Sequence, residues 1–299
     1  DWARYPDATP GREALAAMHG VPTDMVLPTA GAAEAFPLVS ALEPCHAVVV
    51  HPQFTEPEAA LRVAGINVAR HILKASDGFA LDPALVPDNA DLVIVGNPTN
   101  PTGRLHPATD LLALRRPGRI LVIDEAFMDA TDESQSLIGC DMDGLLVLRS
   151  LTKTYGLAGI RAGYVIGDRR LIARLADHQT PWSVSTPAIA AMIACTCEEA
   201  RRFQTKLCDD IPAARADLVE RLTVLGLSVV TSEAPFVLVD TSSLSGKSIR
   251  QPLAKRGFAV RRGETFPGLG PTWIRLAVRD PEIHAELARA ISDLTAQHN

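Results

Sequence analysis

The amino-acid sequence predicts an α/β protein, with a mostly parallel sheet between helices in a large domain and a smaller α+β domain after it. Two observations predict this class. Between residues 25 and 166, short apolar runs alternate with amphipathic stretches, as in sheets whose strands are buried on both faces. After the helical stretches 186–200 and 205–225, the pattern changes to short strands and helices. With 299 residues, 47% of them hydrophobic, the chain can form a large core in one or two domains.

The individual elements follow from the same patterns. Strands are predicted where apolar residues cluster, at 25–27, 47–50, 92–95, 120–123 and 145–148. Covering helices are predicted from amphipathic stretches near Gly or Pro, at 31–42, 55–65 and 107–115. The later strands are predicted near 227–231, 235–240, 258–261 and 273–278, with helices near 245–256 and 281–296. We therefore predict a large domain over 1–211 and a small domain over 212–299.

Composition and charge exclude several classes of protein. A formal charge of -6 and a pI near 5.8 give no basic surface for nucleic acid. No run of about 18 apolar residues and no signal-peptide pattern occur, so we expect a soluble, cytoplasmic protein without membrane contact. The five cysteines lack paired CxxC spacing, which argues against a disulfide framework and against a metal site. The chain begins without Met, so we expect residues upstream of it.

Polar segments follow four of the predicted strands. They are Pro28 to Glu34, Gly96 to Gly103, Asp124 to Phe127, and Arg149 to Thr154. Ligands of open α/β sheets bind at the carboxyl ends of the strands, so we expect a site there.

The small residues from Thr29 to Ala33 leave helix N-terminal N–H groups open to an anion, although tight packing of a turn uses the same residues. Nucleotide cofactors are disfavoured because no GxGxxG occurs and Gly246-Lys247-Ser248 lacks the first glycine of a phosphate loop.

Two ionisable residues stand out among these segments. Taken singly, Asp124 is compatible with a helix N-cap and Lys153 with a solvated surface lysine. Together they match the needs of pyridoxal 5'-phosphate (PLP). A lysine forms a Schiff base with it, a strand-end carboxylate keeps its pyridine nitrogen protonated, and hydroxyls with Arg161 hold its phosphate.

The motifs resemble, in order, those of the class I/II aminotransferase family of fold type I PLP enzymes. They are Asn100-Pro101-Thr102-Gly103, Asp124-Glu125-Ala126-Phe127, Ser150-Leu151-Thr152-Lys153, Gly159-Ile160-Arg161-Ala162-Gly163-Tyr164, and the segment from Trp273 to Arg279. The resemblance extends from Tyr5 to the end of the chain. Its nearest branches are histidinol-phosphate aminotransferases and threonine-phosphate decarboxylases.

The resemblance implies a role for each matching residue. Lys153 would carry the Schiff base and then act as the base at the substrate Cα, and Asp124 would pair with the pyridine nitrogen. Asn100 would donate to the phenolic oxygen of PLP, and Phe54 would stack on its ring. The groups implied to hold the cofactor phosphate are Ser150, Arg161, the amides of Ala32 and Ala33, and Tyr5 of a neighbouring subunit. Sharing Tyr5 implies a homodimer, with 1–11 as a dimer-contact segment.

The substrate residues and the reaction follow less directly. Arg275 would bind a carboxylate or phosphate of the substrate, and Arg261 resembles a phosphate-binding element. Phe127 replaces the usual tyrosine and is similar to the decarboxylases, whereas Ser185-Thr186-Pro187 is typical of histidinol-phosphate aminotransferases. We therefore expect amino transfer from a small phosphorylated amine or amino acid to 2-oxoglutarate. Decarboxylation of L-threonine-O-3-phosphate, as in cobalamin biosynthesis, is the alternative, and a non-catalytic binding protein of the same fold is a minor one.

Overall fold

A computed structural model describes residues 3–296 of the chain. Its larger sheet has seven strands in the order β1-β7-β6-β5-β4-β2-β3, and β7 runs antiparallel to both of its neighbours. The remaining pairs are parallel, which confirms the predicted class. The strands are β1 (Val26–Thr29), β2 (Ala47–His51), β3 (Val68–Ile72), β4 (Leu92–Gly96), β5 (Ile120–Asp124), β6 (Leu145–Ser150) and β7 (Gly163–Gly167).

Helices cover both faces of this sheet, because its central strands are apolar on both sides. One face packs against α2 (Ala32–Ser40), α3 (Glu56–Val63) and α6 (Arg169–His178) through residues such as Phe36, Leu61 and Leu175. The other packs against α1 (Thr9–His19) and α7 (Thr186–Ala194) through Leu15 and Met192. The short helices α4 (Ala108–Leu112) and α5 (Leu151–Thr154) follow β4 and β6.

A second sheet of four antiparallel strands lies near the C-terminus, in the order β10-β11-β9-β8. Its strands are β8 (Ser228–Val229), β9 (Phe236–Asp240), β10 (Arg261–Arg262) and β11 (Trp273–Ala277). Its helices are α8 (Glu198–Val224), α9 (Arg250–Ala254) and α10 (Pro281–Ala296). Val237, Val239 and Ile274 form a separate core with these helices, so one face of this sheet is buried there.

The domain division at 211/212 remains a prediction. Residue 212 is a proline inside α8, and the helix continues through it. Residues 1–2 of the predicted dimer-contact segment and residues 297–299 of the predicted small domain lie outside the described residues. Among residues 3–296, no helix is both long enough and apolar enough to span a bilayer.

Candidate active site

A cavity of about 130 Å³ opens at the carboxyl ends of β4, β5 and β6. These are three of the strand ends at which the sequence places polar segments. The cavity brings together eight of the predicted site residues, and residues near them in the chain complete its lining. Its lining comprises Ala32, Ala33, Phe36, Gln53, Phe54, Gly96, Pro98, Asn100, Asp124, Ala126, Phe127, Ser150, Thr152, Lys153 and Arg161.

Asp124 is the last residue of β5, directly after the buried apolar residues Leu121 to Ile123. Its Oδ1 accepts a hydrogen bond from the N–H of Ala126 at 3.1 Å, which fixes the carboxylate at the cavity wall. Withdrawal from water raises the pKa of Asp124 to about 6, although the Ala126 bond and the charge of Lys153 oppose this shift. A cationic group in the cavity would therefore stabilise the charged carboxylate.

Lys153 lies in α5, the single helical turn that follows β6. The turn starts at Ser150, whose Oγ accepts from the N–H of Thr152 at 3.3 Å, so the N-cap sets the direction of Lys153. Desolvation and the positive charges of Arg275 and Arg161 lower the pKa of Lys153, while Asp124 acts in the opposite direction. A lowered pKa increases the share of neutral amine, the form that attacks a carbonyl or removes a proton.

An anion cradle lies where β1 leads into α2. Gly31 has a φ of 76°, and a Cβ there would stand 2.5 Å from Nη2 of Arg161. A Cβ on Gly163 would stand 2.5 Å from the amide nitrogen of Ala32. Gly31 therefore leaves the space in which Arg161 reaches the start of the helix, and Gly163 lets β7 lie directly against the backbone there.

The cradle is completed by hydroxyl groups and a helix terminus. Ser150 Oγ and Thr152 Oγ1 lie 2.7 Å apart and line the same cavity. The N-cap of α2 is Gly31, which has no side chain to cap the first N–H groups of the helix. A guanidinium, two hydroxyls and a helix N-terminus together suit a phosphate.

Asn100 joins this cavity to the second sheet. Its Oδ1 accepts a hydrogen bond from Nη1 of Arg275 on β11. Because the amide oxygen faces the guanidinium, the amide NH₂ is the group left to donate elsewhere. Burial and then the charge of Arg261 lower the pKa of Arg275 to about 10.

Phe54 lines the cavity just beyond the end of β2, with its ring centre 6.2 Å from that of Phe36. The preceding residue, Gln53, is buried and donates from Nε2 to the carbonyl oxygen of Ile94 at 3.3 Å. His51 donates from Nε2 to the carboxylate of Glu58 at 2.8 Å, which ties the end of β2 to α3. These contacts hold the segment that carries Phe54.

The remaining predicted residues lie outside the cavity lining. Arg275 and Arg261 stand opposite each other on β11 and β10. Tyr5 is 75% exposed and stacks on Trp182 with ring centres 4.3 Å apart, so within one chain it does not reach the cradle.

Sequence reasoning did not single out Gln53 as a cavity residue, although it lies beside Phe54. The strand-end rule would have found it, because Gln53 follows β2. Thr152 lies in the predicted polar segment Arg149 to Thr154 but was not assigned a role of its own. Phe236 contacts Phe127 edge to face at 4.9 Å and was not predicted either. No local pattern marks Phe236, since 109 residues separate it from Phe127 in the chain.

The chain is similar to known proteins over nearly its whole length. Residues 2–291 match the family described as Aminotransferase class I and II. A histidinol-phosphate aminotransferase of Mycobacterium tuberculosis is 47% identical over 281 residues, which cover 93% of this chain and 76% of the relative. A threonine-phosphate decarboxylase of Pseudomonas aeruginosa is 35% identical, covering 92% of this chain and 83% of its own.

A solved structure has the same fold. The histidinol-phosphate aminotransferase from Clostridium acetobutylicum superimposes with a TM-score of 0.89 at 25% identity, covering 99% of this chain and 91% of that one. The likeness therefore extends over both sheets. The chain belongs to the class I and II aminotransferase family of enzymes.

Proposed function

We propose that this chain is a PLP-dependent aminotransferase that transfers the amino group of a small phosphorylated amine, of the histidinol-phosphate kind, to 2-oxoglutarate. The observation that carries the proposal is the convergence of Lys153 and Asp124 on one cavity with a phosphate-type cradle at its side. The substrate class is supported by the 47% identity to a histidinol-phosphate aminotransferase.

The residues of the cavity fit PLP. A Cβ at Gly31 would collide with the guanidinium of Arg161, so glycine there lets Arg161 reach the cradle, whose donors suit the cofactor phosphate. Phe54 offers a ring for stacking, and Asp124 offers a carboxylate for the pyridine nitrogen. When bound, PLP supplies an aldehyde that captures amines and a ring that withdraws electrons from the substrate Cα.

Each residue then has a defined task. The carboxylate of Asp124 would keep a proton on the ring nitrogen, because the charged pair stabilises both partners. The NH₂ of Asn100 would donate to the phenolic oxygen, since its amide oxygen is engaged by Arg275. The Nζ of Lys153 would take the proton from the substrate Cα and hold it for delivery to the former aldehyde carbon of the cofactor.

The two arginines next to the cavity would select the substrate. Arg275 is half-buried and supplies a planar fork of N–H donors, which matches a phosphate or carboxylate. Arg261 lies directly across from it on β10 and adds a second positive charge. Histidinol phosphate has no carboxylate, so both arginines are available for its phosphate.

Decarboxylation of threonine phosphate is the second candidate because of Phe127. Its ring has no hydroxyl to donate to the cofactor, and its centre lies 5.9 Å from Nζ of Lys153. The 35% identical decarboxylase supports the same reading. The two reactions use the same cofactor site. They differ in which bond to Cα lies perpendicular to the cofactor ring, and the arginines would set that orientation by binding the substrate.

The purified, PLP-loaded protein separates these candidates. Histidinol phosphate with 2-oxoglutarate should yield glutamate, and without a keto acid it should convert the cofactor to its amine form in a single turnover. Release of carbon dioxide from threonine phosphate without any keto acid would instead establish the decarboxylase. Failure with both substrates would contradict the proposed substrate class.

We also propose a homodimer in which Tyr5 reaches the cofactor phosphate of the partner subunit. The exposed stack of Tyr5 on Trp182 supports this, because such an aromatic surface is typical of a protein contact. Mixing Tyr5→Phe protein with Lys153→Ala protein tests it. In a hybrid dimer, the Tyr5→Phe subunit has an intact Lys153 and its partner has an intact Tyr5. If each site uses the tyrosine of the partner subunit, one site of the hybrid is complete. The activity of the mixture should then rise above that of either variant alone.

A further inference from the structure

Two arginines face each other across an antiparallel pair of strands. Arg261 on β10 stands directly opposite Arg275 on β11, so both side chains lie on the same face of the second sheet. Like charges placed directly opposite on a sheet destabilise it. Arg261 also contributes to the lowered pKa of Arg275, after burial. The pair therefore needs contacts that hold both guanidinium groups in place.

Each of these guanidinium groups lies over a phenylalanine ring. The Cζ of Arg275 is 4.8 Å from the ring centre of Phe236, and the Cζ of Arg261 is 5.3 Å from that of Phe266. Both distances are within the range of cation–π attraction. The two rings are 3% and 2% exposed, so they are rigid, buried supports beneath more exposed charges.

The position of Phe236 is fixed by the sheet. It pairs with Ala277 on β11, and Arg275 pairs with Leu238, so the ring and the guanidinium are diagonal neighbours on one face. The ring also contacts that of Phe127 edge to face, with ring centres 4.9 Å apart. Phe236 therefore contacts both the cavity wall and the arginine.

The position of Phe266 is fixed by a turn. The N–H of Gly263 donates to the carbonyl oxygen of Trp273 at 2.7 Å, and the N–H of Phe266 donates to the carbonyl oxygen of Gly263 at 2.8 Å. A Cβ on Gly263 would stand 2.4 Å from Cβ of Trp273, so the turn lies tightly against β11. This backbone brings the Phe266 ring under Arg261.

We propose that Phe236 and Phe266 are positioning residues that hold Arg275 and Arg261 as a fixed pair of cations for the phosphate of the substrate. The inference rests on the proposed function. Two guanidinium groups that repel each other are stabilised together by one dianion between them. The rings keep the pair in position before the dianion binds, so less ordering accompanies binding.

The test uses the PLP-loaded enzyme, Phe236→Leu and Phe266→Leu, and the aromatic replacements Phe236→Tyr and Phe266→Tyr. Leucine keeps an apolar side chain but removes the π face. Val237→Ala is the matched control, because Val237 is buried next to Phe236 but packs into the separate core on the opposite face of the sheet. Should Phe236→Leu not fold, Phe236→Met replaces it.

Binding of inorganic phosphate is measured by calorimetry, and kcat and KM are measured for histidinol phosphate and for unphosphorylated histidinol. Each leucine variant should weaken phosphate binding and raise KM for the phosphorylated amine by about 3- to 30-fold. The kcat, and the KM for histidinol, should stay unchanged. The tyrosine variants should restore the phosphate affinity, since they keep the ring.

Equal effects on both amines, or leucine variants that behave like Val237→Ala, would overturn the inference. The result for inorganic phosphate separates this inference from the proposed function. If the wild type does not turn over histidinol phosphate but binds phosphate in a ring-dependent manner, the proposed substrate is wrong and the paired cation site stands. If the wild type is active but its phosphate affinity does not change when the rings are replaced, only the positioning role is wrong.

Discussion

The proposed active site has two ends, the cavity itself and the arginine pair outside the cavity lining, and they are built in different ways. The end that carries Lys153 and Asp124 is formed by the carboxyl ends of neighbouring strands in a seven-stranded sheet whose core is buried on both faces. The end that carries Arg275 and Arg261 is formed by two strands at one edge of a four-stranded sheet, and β10 there is two residues long. One end is therefore fixed by many buried neighbours and the other by few.

This difference implies that the first end carries out the reaction, whereas the second end determines which substrate binds. At the first end, backbone hydrogen bonds and N-caps place the reacting groups, as for Asp124 with Ala126 and for Ser150 with Thr152. At the second end, side chains are placed by other side chains, as Arg275 is by Asn100 and Phe236. Changes at the first end should abolish catalysis, whereas changes at the second should alter affinity and leave catalysis in place.

Replacing Lys153 with alanine should have the largest effect. Without the amine, no side chain at this position can bind the aldehyde or move the Cα proton, so kcat should fall by about 10⁴-fold or more. Absorption spectra of the protein with PLP should lose the visible band of the lysine-bound cofactor, while circular dichroism stays unchanged. Lys206→Ala, an exposed site on α8, is the control and should keep both the band and the rate. A visible band that survives in Lys153→Ala would show that another amine binds the cofactor.

Replacing Arg275 with lysine should affect only the substrate end. Lysine keeps the charge but loses the planar fork, so KM for the phosphorylated amine should rise by about 10- to 100-fold. The cofactor band and the PLP affinity should change little, because lysine keeps the positive charge near Lys153 and an N–H donor for Asn100, and because Arg275 does not line the cavity beside Asp124. Steady-state kinetics and PLP titration check this. A loss of PLP binding as large as the change in KM would mean that the two ends are not separable.

Sequence reasoning predicted the first end well. Asp124, Asn100 and Lys153 each follow an apolar run, and the rule that ligands bind at strand ends places them together without long-range information. Their catalytic roles come from the family resemblance and remain proposals. Five of the seven strands of the larger sheet were predicted for a similar reason, since continuous apolar runs can only be buried strands or helices; β3 and β7 were not predicted.

The second end was predicted less completely. Phe236 and Phe266 support the arginines only through contacts between distant parts of the chain, and no local spacing signals such contacts. The boundary between two predicted helices was misplaced for a related reason. The break between the predicted helices 186–200 and 205–225 lies at residues 195–197, and the N-cap there is Cys197, whose side chain makes no capping bond. No Ser, Thr, Asp or Asn at the N-cap marks the start of α8.

The pH dependence of PLP affinity tests the role of Asp124 at the first end. Burial raises the pKa of Asp124 to about 6, so below this pH the carboxyl takes up a proton and loses its charge. Only the charged form pairs with a protonated pyridine nitrogen. PLP affinity should therefore fall with decreasing pH, approaching a tenfold loss for about every pH unit below 6.

Asp124→Asn is the matched control for that titration, since asparagine has nearly the same shape and does not titrate. Dissociation constants measured between about pH 5 and about pH 8 should depend less on pH in the variant than in the wild type. The difference between the two curves isolates Asp124 from ionisations of the cofactor itself. Parallel curves would show that Asp124 does not carry the charge that binds the ring.

The smallest effect is expected at Phe127, where the two ends meet. Phe127→Tyr adds one hydroxyl at the place where the resemblance expects a donor to the phenolic oxygen of PLP. One hydrogen bond contributes about 0.5–1.5 kcal/mol, so PLP affinity should rise by about 2- to 10-fold. Because the ring also contacts Phe236 beneath Arg275, the double variant with Phe236→Leu shows whether the gain depends on that contact. Additive effects would mean that the two ends act independently; a gain that disappears with Phe236→Leu would mean that the aromatic pair couples substrate binding to the cofactor.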